Sequence, residues 1–268
     1  MQGVDARAAV HPDARLAPGV SIGPFSVIGP HVSLGEGTWV GPNVSIDGHT
    51  TIGARNRFYP YCSIGLPPQD FRYQGGPTRL EIGDDNVFRE GCTIHRGSEH
   101  GGAVTRIGSH CYFMVQSHVG HDGQIGNHVL FVNAGTLAGH VEVADHATVG
   151  AFSAVHQFSR VGPHAFIGGG SILTRDALPY CTSVGNRALC YGVNRIGLKR
   201  KGFSSETILT LDQAVRTLFR PSFGREQALA EIEARWGGLA EVQVLLEFVR
   251  SSKRGVIPMR RADAAEEP

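Results

Sequence analysis

Several features that would assign the chain to a common protein class are absent. Its 268 residues carry 25 Lys and Arg against 24 Asp and Glu, so a protein that coats nucleic acid is not indicated. No stretch approaches the roughly 20 apolar residues of a membrane span. The N-terminus has an early acid, Asp5, and no apolar core of a signal peptide. We therefore expect a cytoplasmic protein with no nucleic-acid partner and no membrane span.

Signatures of redox and hydrolase sites are missing as well. The five cysteines include no Cys-x-x-Cys pair, and Cys62, Cys92 and Cys111 occupy positions that other parts of the chain fill with Ser, Thr or Val. We expect them to be small packed residues. A Gly-x-Ser-x-Gly nucleophile motif is also absent, so the sequence offers no obvious residue for a covalent acyl-enzyme.

The dominant feature that is present is an apolar residue at every sixth position. Glycine is abundant, 36 residues, which suits a chain that bends often. A period of six fits neither a helix nor a simple strand, but it is the period of hexapeptide β-helices, in which three hexads make one triangular coil of about 18 residues. The first unbroken run is Val4, Val10, Leu16, Ile22, Ile28, Leu34, Val40, Ile46, Ile52, Phe58 and Ile64.

Two interruptions and a change of period define the expected organisation. Residues 66–77 are rich in Pro and Gly and must leave the coil as a loop. A second excursion is expected at 97–104. The period ends near residue 190, so we expect a β-helix over 1–190 and a small α-helical C-terminal domain over 191–268. Helical spacing within that domain is found at 204–218, 227–236 and 240–249.

Histidines concentrate on one part of the repeat. Counting by 18 places His121, Gly139 and Gln157 at equivalent positions on three successive coils, about 4.8 Å apart. His118, His140 and His156 lie beside them, whereas histidines in ordinary hexads are expected to be exposed surface residues. An imidazole is the usual general base at neutral pH. We expect His121 to deprotonate an acceptor hydroxyl while the Gly139 amide stabilises the oxyanion.

Two other interpretations of these residues remain open. Clustered histidines could bind zinc, although His118-x-x-His121 alone is a weak metal signal. The segment between Asp176 and Glu206 contains five basic residues and no acid, so it could hold phosphates or an acidic partner, or be a solvated linker face. These basic residues are Arg187, Arg195, Lys199, Arg200 and Lys201.

The histidine segments and the C-terminal basic motif resemble the UDP-N-acetylglucosamine O-acyltransferase family of lipid A biosynthesis. The resemblance runs essentially end to end, and its most specific parts are Ser117-His-Val-Gly-His-Asp122 and Gly197-Leu-Lys-Arg200. Further matching stretches are 28–32, 47–50, 69–73, 93–97, 137–141, 155–158 and 192–194. It implies a left-handed parallel β-helix, a homotrimer with active sites between subunits, and no cofactor.

The resemblance also implies roles for individual residues. His121 matches the general base, Asp122 its supporting carboxylate and Gly139 the oxyanion amide. Gly169 matches the position that ends the acyl-chain groove. Residues matched to the pocket for sugar, donor and nucleotide are Asp70, Arg72, His118, His140, His156, Gln157, Asn194, Arg200 and Lys201.

Three positions depart from the family pattern. Arg72 stands where lysine is common and Lys201 where a second arginine is common, so both keep their charge. Ile196 replaces an acid that contacts the nucleotide. The expected substrates are UDP-N-acetylglucosamine, acylated at its 3-hydroxyl, and acyl carrier protein with a 3-hydroxyacyl thioester. The alternatives are a related N-acyltransferase for amino-sugar nucleotides and a zinc carbonic-anhydrase-like hexapeptide protein.

Overall fold

The computed structural model describes residues 3–260. Short strands follow one another around a triangular coil, and most strands pair in parallel with the strand three elements later, which generates three sheets. In this part of the chain, sheet 1 has nine strands, sheet 2 eight and sheet 3 ten. We name the turns after the sheets they join: corner 1–2, corner 2–3 and corner 3–1.

The strand bounds are as follows. Sheet 1 contains Ala9–Val10, Val27–Ile28, Ser45–Ile46, Ser63–Leu66, Thr93–His95, His118–Val119, Thr136–Leu137, Ala154–Val155 and Ile172–Leu173. Sheet 2 contains Arg15–Leu16, Val32–Leu34, His49–Ile52, Arg79–Ile82, Val104–Ile107, Gln124–Ile125, Glu142–Val143 and Arg160–Val161. Sheet 3 contains Ser21–Ile22, Trp39–Val40, Arg57–Phe58, Val87–Phe88, Tyr112–Phe113, Leu130–Phe131, Thr148–Val149, Phe166–Ile167, Cys181–Val184 and, antiparallel, Leu189–Val193.

From Ile22 onward the repeated apolar residue points inward and forms a continuous core, whereas Val4 and Leu16 on the first coil are exposed. Among these residues, Phe58, Phe88, Phe113 and Phe131 are fully buried, and their rings stack at centroid distances of 4.7 to 4.8 Å. Burying each such side chain contributes about 1.5–3 kcal/mol. All five cysteines are buried and free, which confirms the prediction made for Cys62, Cys92 and Cys111. The period-six hypothesis is therefore confirmed by where these side chains lie.

A left-handed backbone conformation recurs at the corners. The third residue after many inward apolar residues has a positive φ; Asp122 follows Val119 with φ 60°, and His146 follows Val143 with φ 61°. Asn, Asp and His tolerate this conformation better than most residues. The corner histidines and acids of this chain therefore suit the turn that each coil must make.

The two excursions leave the coil close to the predicted places and contact each other. The first lies between the strands that end at Leu66 and begin at Arg79, and the second between those that end at His95 and begin at Val104. Glu99 accepts hydrogen bonds from the backbone N–H groups of Gln74 and Gly76. The second excursion therefore supports the first.

Up to residue 260, four helices follow the coil: α1 Arg195–Arg200, α2 Ser205–Leu218, α3 Arg225–Trp236 and α4 Ala240–Arg250. The last three correspond to the predicted helical segments. Ser204 begins α2 because its hydroxyl accepts from the Thr207 N–H at 3.0 Å. The short helix α1 was not predicted, since six residues give little periodicity.

The domain boundary near residue 190 stays a prediction, and residues 261–268 of the second domain lie outside the described part. Among residues 3–260, no helix combines the length and apolar content needed to cross a bilayer. The expected cytoplasmic location also stays a prediction.

Candidate active site

His121 and Asp122 form a hydrogen-bonded dyad at corner 1–2. Adjacent side chains on a regular strand point to opposite faces, but the left-handed turn at Asp122 brings the two together. His121 Nδ1 lies 2.8 Å from Asp122 Oδ2. Ser98 donates to the same carboxylate from its backbone N–H, at 3.0 and 3.1 Å, and from its hydroxyl at 2.7 Å.

The environment of Asp122 keeps its carboxyl group ionised. Burial alone raises the pKa of Asp122, but the hydrogen bonds from His121 and Ser98 outweigh burial and lower that pKa below its usual value. An ionised carboxylate can only accept, so Nδ1 of His121 carries the hydrogen. Nε2 then bears the free lone pair that a general base needs.

Gly139 lies one coil beyond His121, as the 18-residue count predicts. A methyl group on Gly139 would lie 2.5 Å from Cε1 and 2.6 Å from Nε2 of His121, so only glycine fits beside this ring. The Gly139 N–H has no hydrogen-bond acceptor among the described residues. This amide is therefore free to donate to a substrate oxygen next to the imidazole.

His140 adds a second imidazole to the dyad. Its Nδ1 lies 4.0 Å from Asp122 Oδ2, and its ring meets that of His121 edge to face at a centroid distance of 5.0 Å. Its other face stacks on Phe158 at 4.4 Å. Burial lowers the pKa of His140 despite the attraction of Asp122, so this ring is neutral at neutral pH.

His95 and His118 lie beside the dyad along sheet 1. His118 Nδ1 lies 2.7 Å from Thr93 Oγ1, and the His95 ring meets the His118 ring edge to face at 5.1 Å. Burial lowers the pKa of His95 to about 4, with a further contribution from His118 and His121. The sequence interpretation gave His95 no role, although it stands on the same sheet one coil before His118.

His156 and the first excursion loop border this cluster. His156 is exposed, and its Nδ1 lies 3.0 Å from the backbone oxygen of Gln157. In the loop, the hydrogen bond from Arg72 lowers the pKa of Asp70 to about 2, and His121 contributes electrostatically. The loop thus brings an ionised carboxylate towards the imidazoles.

Asn194, Arg200 and Lys201 lie elsewhere on the chain. They line a cavity of about 540 Å³ along the outer side of sheet 3, together with Ile196 and His164. Asn194 also begins α1, because its side-chain oxygen accepts from the Gly197 N–H at 3.1 Å. One chain therefore does not bring these residues together with the His121 dyad.

Gly169 occupies corner 3–1, on the opposite side of sheet 1 from the dyad. Its φ is not positive, and a methyl group there would meet only Ala151, with the closest atom at 3.4 Å. Packing within the chain therefore does not require glycine at this position.

A second column of histidines occupies corner 2–3. His110, His128, His146 and His164 stack face to face at centroid distances of 4.7 to 4.9 Å. We expected these histidines to be exposed, and this is wrong for His146 and His164, which are half-buried. Phe203, from the segment after α1, packs edge-on against His164 at 4.9 Å, and His146 is stacked between His128 and His164.

One group of three side chains within residues 3–260 has the proximity that a metal ion requires. Single ligand atoms of His121, Asp122 and His140 lie within 4.8 Å of one another. Two imidazoles and a carboxylate suit a transition metal. However, His121 Nδ1 is already hydrogen-bonded to Asp122 Oδ2, and the His140 ring is already stacked on Phe158.

The chain is similar along almost its whole length to known acyltransferases. The acyl-(acyl-carrier-protein)–UDP-N-acetylglucosamine O-acyltransferase of Alkalilimnicola ehrlichii is 49% identical over 257 residues, which cover 96% of this chain and 100% of the relative. The protein of the same name from Thiobacillus denitrificans is 50% identical, with 93% and 97% covered. A sequence profile described as Udp N-acetylglucosamine O-acyltransferase, Domain 2, matches residues 176–257.

Solved structures give the same result. LpxA from Acinetobacter baumannii superimposes with a TM-score of 0.92 at 38% identity, covering 95% of this chain and 99% of the other. The UDP-N-acetylglucosamine acyltransferase of Francisella novicida gives 0.92 at 34% identity, with 99% of both chains covered. The predicted left-handed parallel β-helix is thereby confirmed.

The fold and these relatives place the chain in a class of enzymes, the hexapeptide-repeat acyltransferases. Within that class the chain belongs to the UDP-N-acetylglucosamine O-acyltransferase family.

Proposed function

We propose that this protein transfers an acyl chain from acyl carrier protein to the 3-hydroxyl of UDP-N-acetylglucosamine, the first step of lipid A biosynthesis. The observation that carries the proposal is the His121–Asp122 dyad one coil from the free Gly139 N–H. A sugar hydroxyl is a poor nucleophile until its proton is removed, and a thioester under attack develops an oxyanion. The dyad and the amide supply these two needs.

The chemistry balances without a covalent enzyme intermediate. His121 Nε2 takes the proton of the 3-hydroxyl while the sugar oxygen bonds to the thioester carbon. The Gly139 N–H donates to the carbonyl oxygen as it becomes negative. The C–S bond then breaks, and the thiolate of the carrier leaves with the proton from His121. Asp122 holds the imidazole and stabilises the imidazolium that exists between these steps.

The remaining predicted site residues take binding roles in this proposal. Five of them border the sugar and the acyl donor: Asp70, His118, His140, His156 and Gln157. Arg72 also binds substrate. Gly169 ends the acyl groove on the other side of sheet 1. Asn194, Arg200 and Lys201 hold the nucleotide, with Ile196 lacking the acidic contact of the family pattern.

We further propose a homotrimer. The nucleotide residues lie along sheet 3, whereas the dyad lies at corner 1–2, so one chain cannot apply both sets to one substrate. A second copy with its sheet 3 against sheet 1 of the first would join the two sets, and three copies would close such a ring. Sedimentation that found a fully active monomer would disprove this assembly.

Product analysis by mass spectrometry tests the activity. The protein is incubated with a panel of acyl carrier protein thioesters of different length, with and without a 3-hydroxyl, and with UDP-N-acetylglucosamine. An amino-sugar nucleotide in a parallel reaction tests the N-acyltransferase alternative. We expect an ester product, turnover only with the hydroxyl acceptor, and the same rate after treatment with a chelator. An amide product, or loss of activity that zinc restores, would contradict the proposal.

A further inference from the structure

The second excursion, residues 97–104, contacts the catalytic dyad through one buried serine. Ser98 is fully buried. Its hydroxyl and its backbone N–H both donate to the Asp122 carboxylate, at 2.7 Å and 3.0 Å respectively. Asp122 Oδ2 also accepts the hydrogen bond from His121 Nδ1. The same carboxylate oxygen therefore orients the imidazole and is held in place by Ser98.

The rest of this loop closes over the same carboxylate. The backbone N–H groups of Gly101 and Ala103 both donate to the Ser98 carbonyl at 3.1 Å, which folds the loop into a tight turn. A methyl group on Gly101 would collide with Asp122 and with His140. The loop therefore lies directly against the dyad, and glycine permits this approach.

The next residue, Glu99, contacts the first excursion instead. Its two carboxylate oxygens accept from the Gln74 N–H at 3.0 Å and the Gly76 N–H at 2.5 Å. These amides belong to residues 66–77, the loop that carries Asp70 and Arg72 towards the histidines. Ser98 thus holds the Asp122–His121 dyad, and its neighbour Glu99 holds the loop 66–77.

We propose that residues 97–104 position both halves of the active site, with Ser98 a positioning residue for the Asp122–His121 dyad and Glu99 a positioning residue for the loop 66–77. Neither residue touches a reacting atom. Ser98 limits the rotation of a carboxylate whose direction sets that of the imidazole. Glu99 limits the movement of a Gly- and Pro-rich loop, in addition to the hydrogen bonds that Tyr73 makes within the loop to Asp70 and Gly76. This inference rests on the function proposed above.

The two residues should give different kinetic signatures. Ser98→Ala removes one charge-assisted hydrogen bond but keeps the backbone donor, so kcat should fall roughly 10- to 50-fold with KM little changed. Glu99→Ala releases the binding loop, so KM for UDP-N-acetylglucosamine should rise roughly 3- to 10-fold with a smaller effect on kcat. Ser98→Thr keeps the hydroxyl and should restore most of kcat.

A matched control separates positioning from stability. Ser26 is also fully buried and donates its hydroxyl to the Gly41 carbonyl at 2.7 Å, but it lies on an early coil. Ser26→Ala should lower the melting temperature about as much as Ser98→Ala while leaving kcat at the parental value. If Ser98→Ala does not fold, Glu99→Ala at an exposed position decides the matter.

Three results would overturn the inference: equal kcat in Ser98→Ala and the parent, failure of Ser98→Thr to recover activity, or an unchanged KM in Glu99→Ala. A parent protein that does not acylate UDP-N-acetylglucosamine at all would instead contradict the proposed function. These failures are distinct, because the first three require an active parent.

Discussion

Corners 1–2 and 2–3 carry columns of histidine on the same backbone turn, yet only one is suited to catalysis. At corner 1–2 the rings of His121 and His140 meet edge to face, and both lie near the buried Asp122 carboxylate. At corner 2–3 His128 and His146 stack face to face at 4.7 Å. His146 Nδ1 is buried with no hydrogen-bond partner within residues 3–260.

This difference shows that a histidine at a corner of the coil is not sufficient to form a catalytic site. A carboxylate orients an imidazole and sets its tautomer, whereas stacked rings supply mainly packing. Gly139 beside His121 leaves room for a reacting group, while the second column is filled ring upon ring. Five substitutions test this distinction, in decreasing order of expected effect.

The largest effect is expected from removing His121, the proposed general base. His121→Ala should lower kcat about 10²–10⁴-fold with little change in substrate binding, because a general base acts in the transition state. His128→Ala, in the exposed part of the other column, should keep the parental kcat. Steady-state kinetics of both variants decides the comparison; near-full activity of His121→Ala, or an acyl group trapped on the protein, would exclude direct transfer.

Crowding the base should also be costly. Gly139→Ala places a methyl group 2.5 Å from the His121 ring, so the imidazole must move, and we expect kcat to fall roughly 10²-fold. Gly224→Ala is the control, since no atom lies within 4 Å of a methyl group there. Single-turnover rates report the chemical step directly. Similar rates in the two alanine variants would show that Gly139 has no special place beside the base.

A substitution at corner 3–1 should change only the length of acyl chain that the enzyme prefers. If Gly169 ends the acyl groove, Gly169→Met should shift preference towards shorter donors, by about 0.8 kcal/mol or fourfold for each methylene that no longer fits. Competition between acyl carrier protein thioesters of different length measures this preference. Since little within the chain crowds Gly169, the fold should tolerate methionine. An unchanged length profile would remove Gly169 from the groove.

The basic residues beside corner 2–3 should affect binding. Arg200→Ala should raise KM for the nucleotide or the carrier protein several-fold, and parent and variant should converge as salt screens the lost charge. The control is Lys253→Ala, because Lys253 is a basic residue that does not line the cavity along sheet 3. Kinetics at two ionic strengths distinguishes the roles. Equal KM values for Arg200→Ala and the parent would make this segment a solvated linker face.

The histidine column at corner 2–3 should affect the stability of the folded protein at acidic pH. Burial lowers the pKa of His164 to about 4, and His146 and Lys201 add to the shift. An unfolded histidine titrates near 6.5, so the unfolded state binds more protons between about pH 6.5 and 4 and stability falls as the pH falls through this window. His164→Phe should reduce that loss, and exposed His128→Phe should not. Melting temperatures from pH 7 to 4 measure it; equal slopes would contradict the prediction.

Particular residues show what could be predicted from the sequence. The 18-residue count placed Gly139 beside His121, and the helical spacing of residues 204–218 located α2 to within one residue. His95 lies in the matching stretch 93–97 but was given no role, because the excursion at 97–104 breaks the 18-residue count between its strand and that of His118. His164 was misjudged because Phe203, which covers it, comes from a segment far along the chain.

The sequence by itself determined the coil and which residues align on successive turns. The reason is that three six-residue repeats make one 18-residue turn, so residues 18 apart occupy equivalent positions. Only the tertiary structure decided how the site is built upon it. The direct His121–Asp122 contact requires a left-handed turn, and Ser98 reaches Asp122 across 24 positions of sequence. The separation of Arg200 from the dyad likewise follows from where α1 packs. Such contacts depend on packing between residues far apart in the sequence, and a local repeat cannot predict this packing.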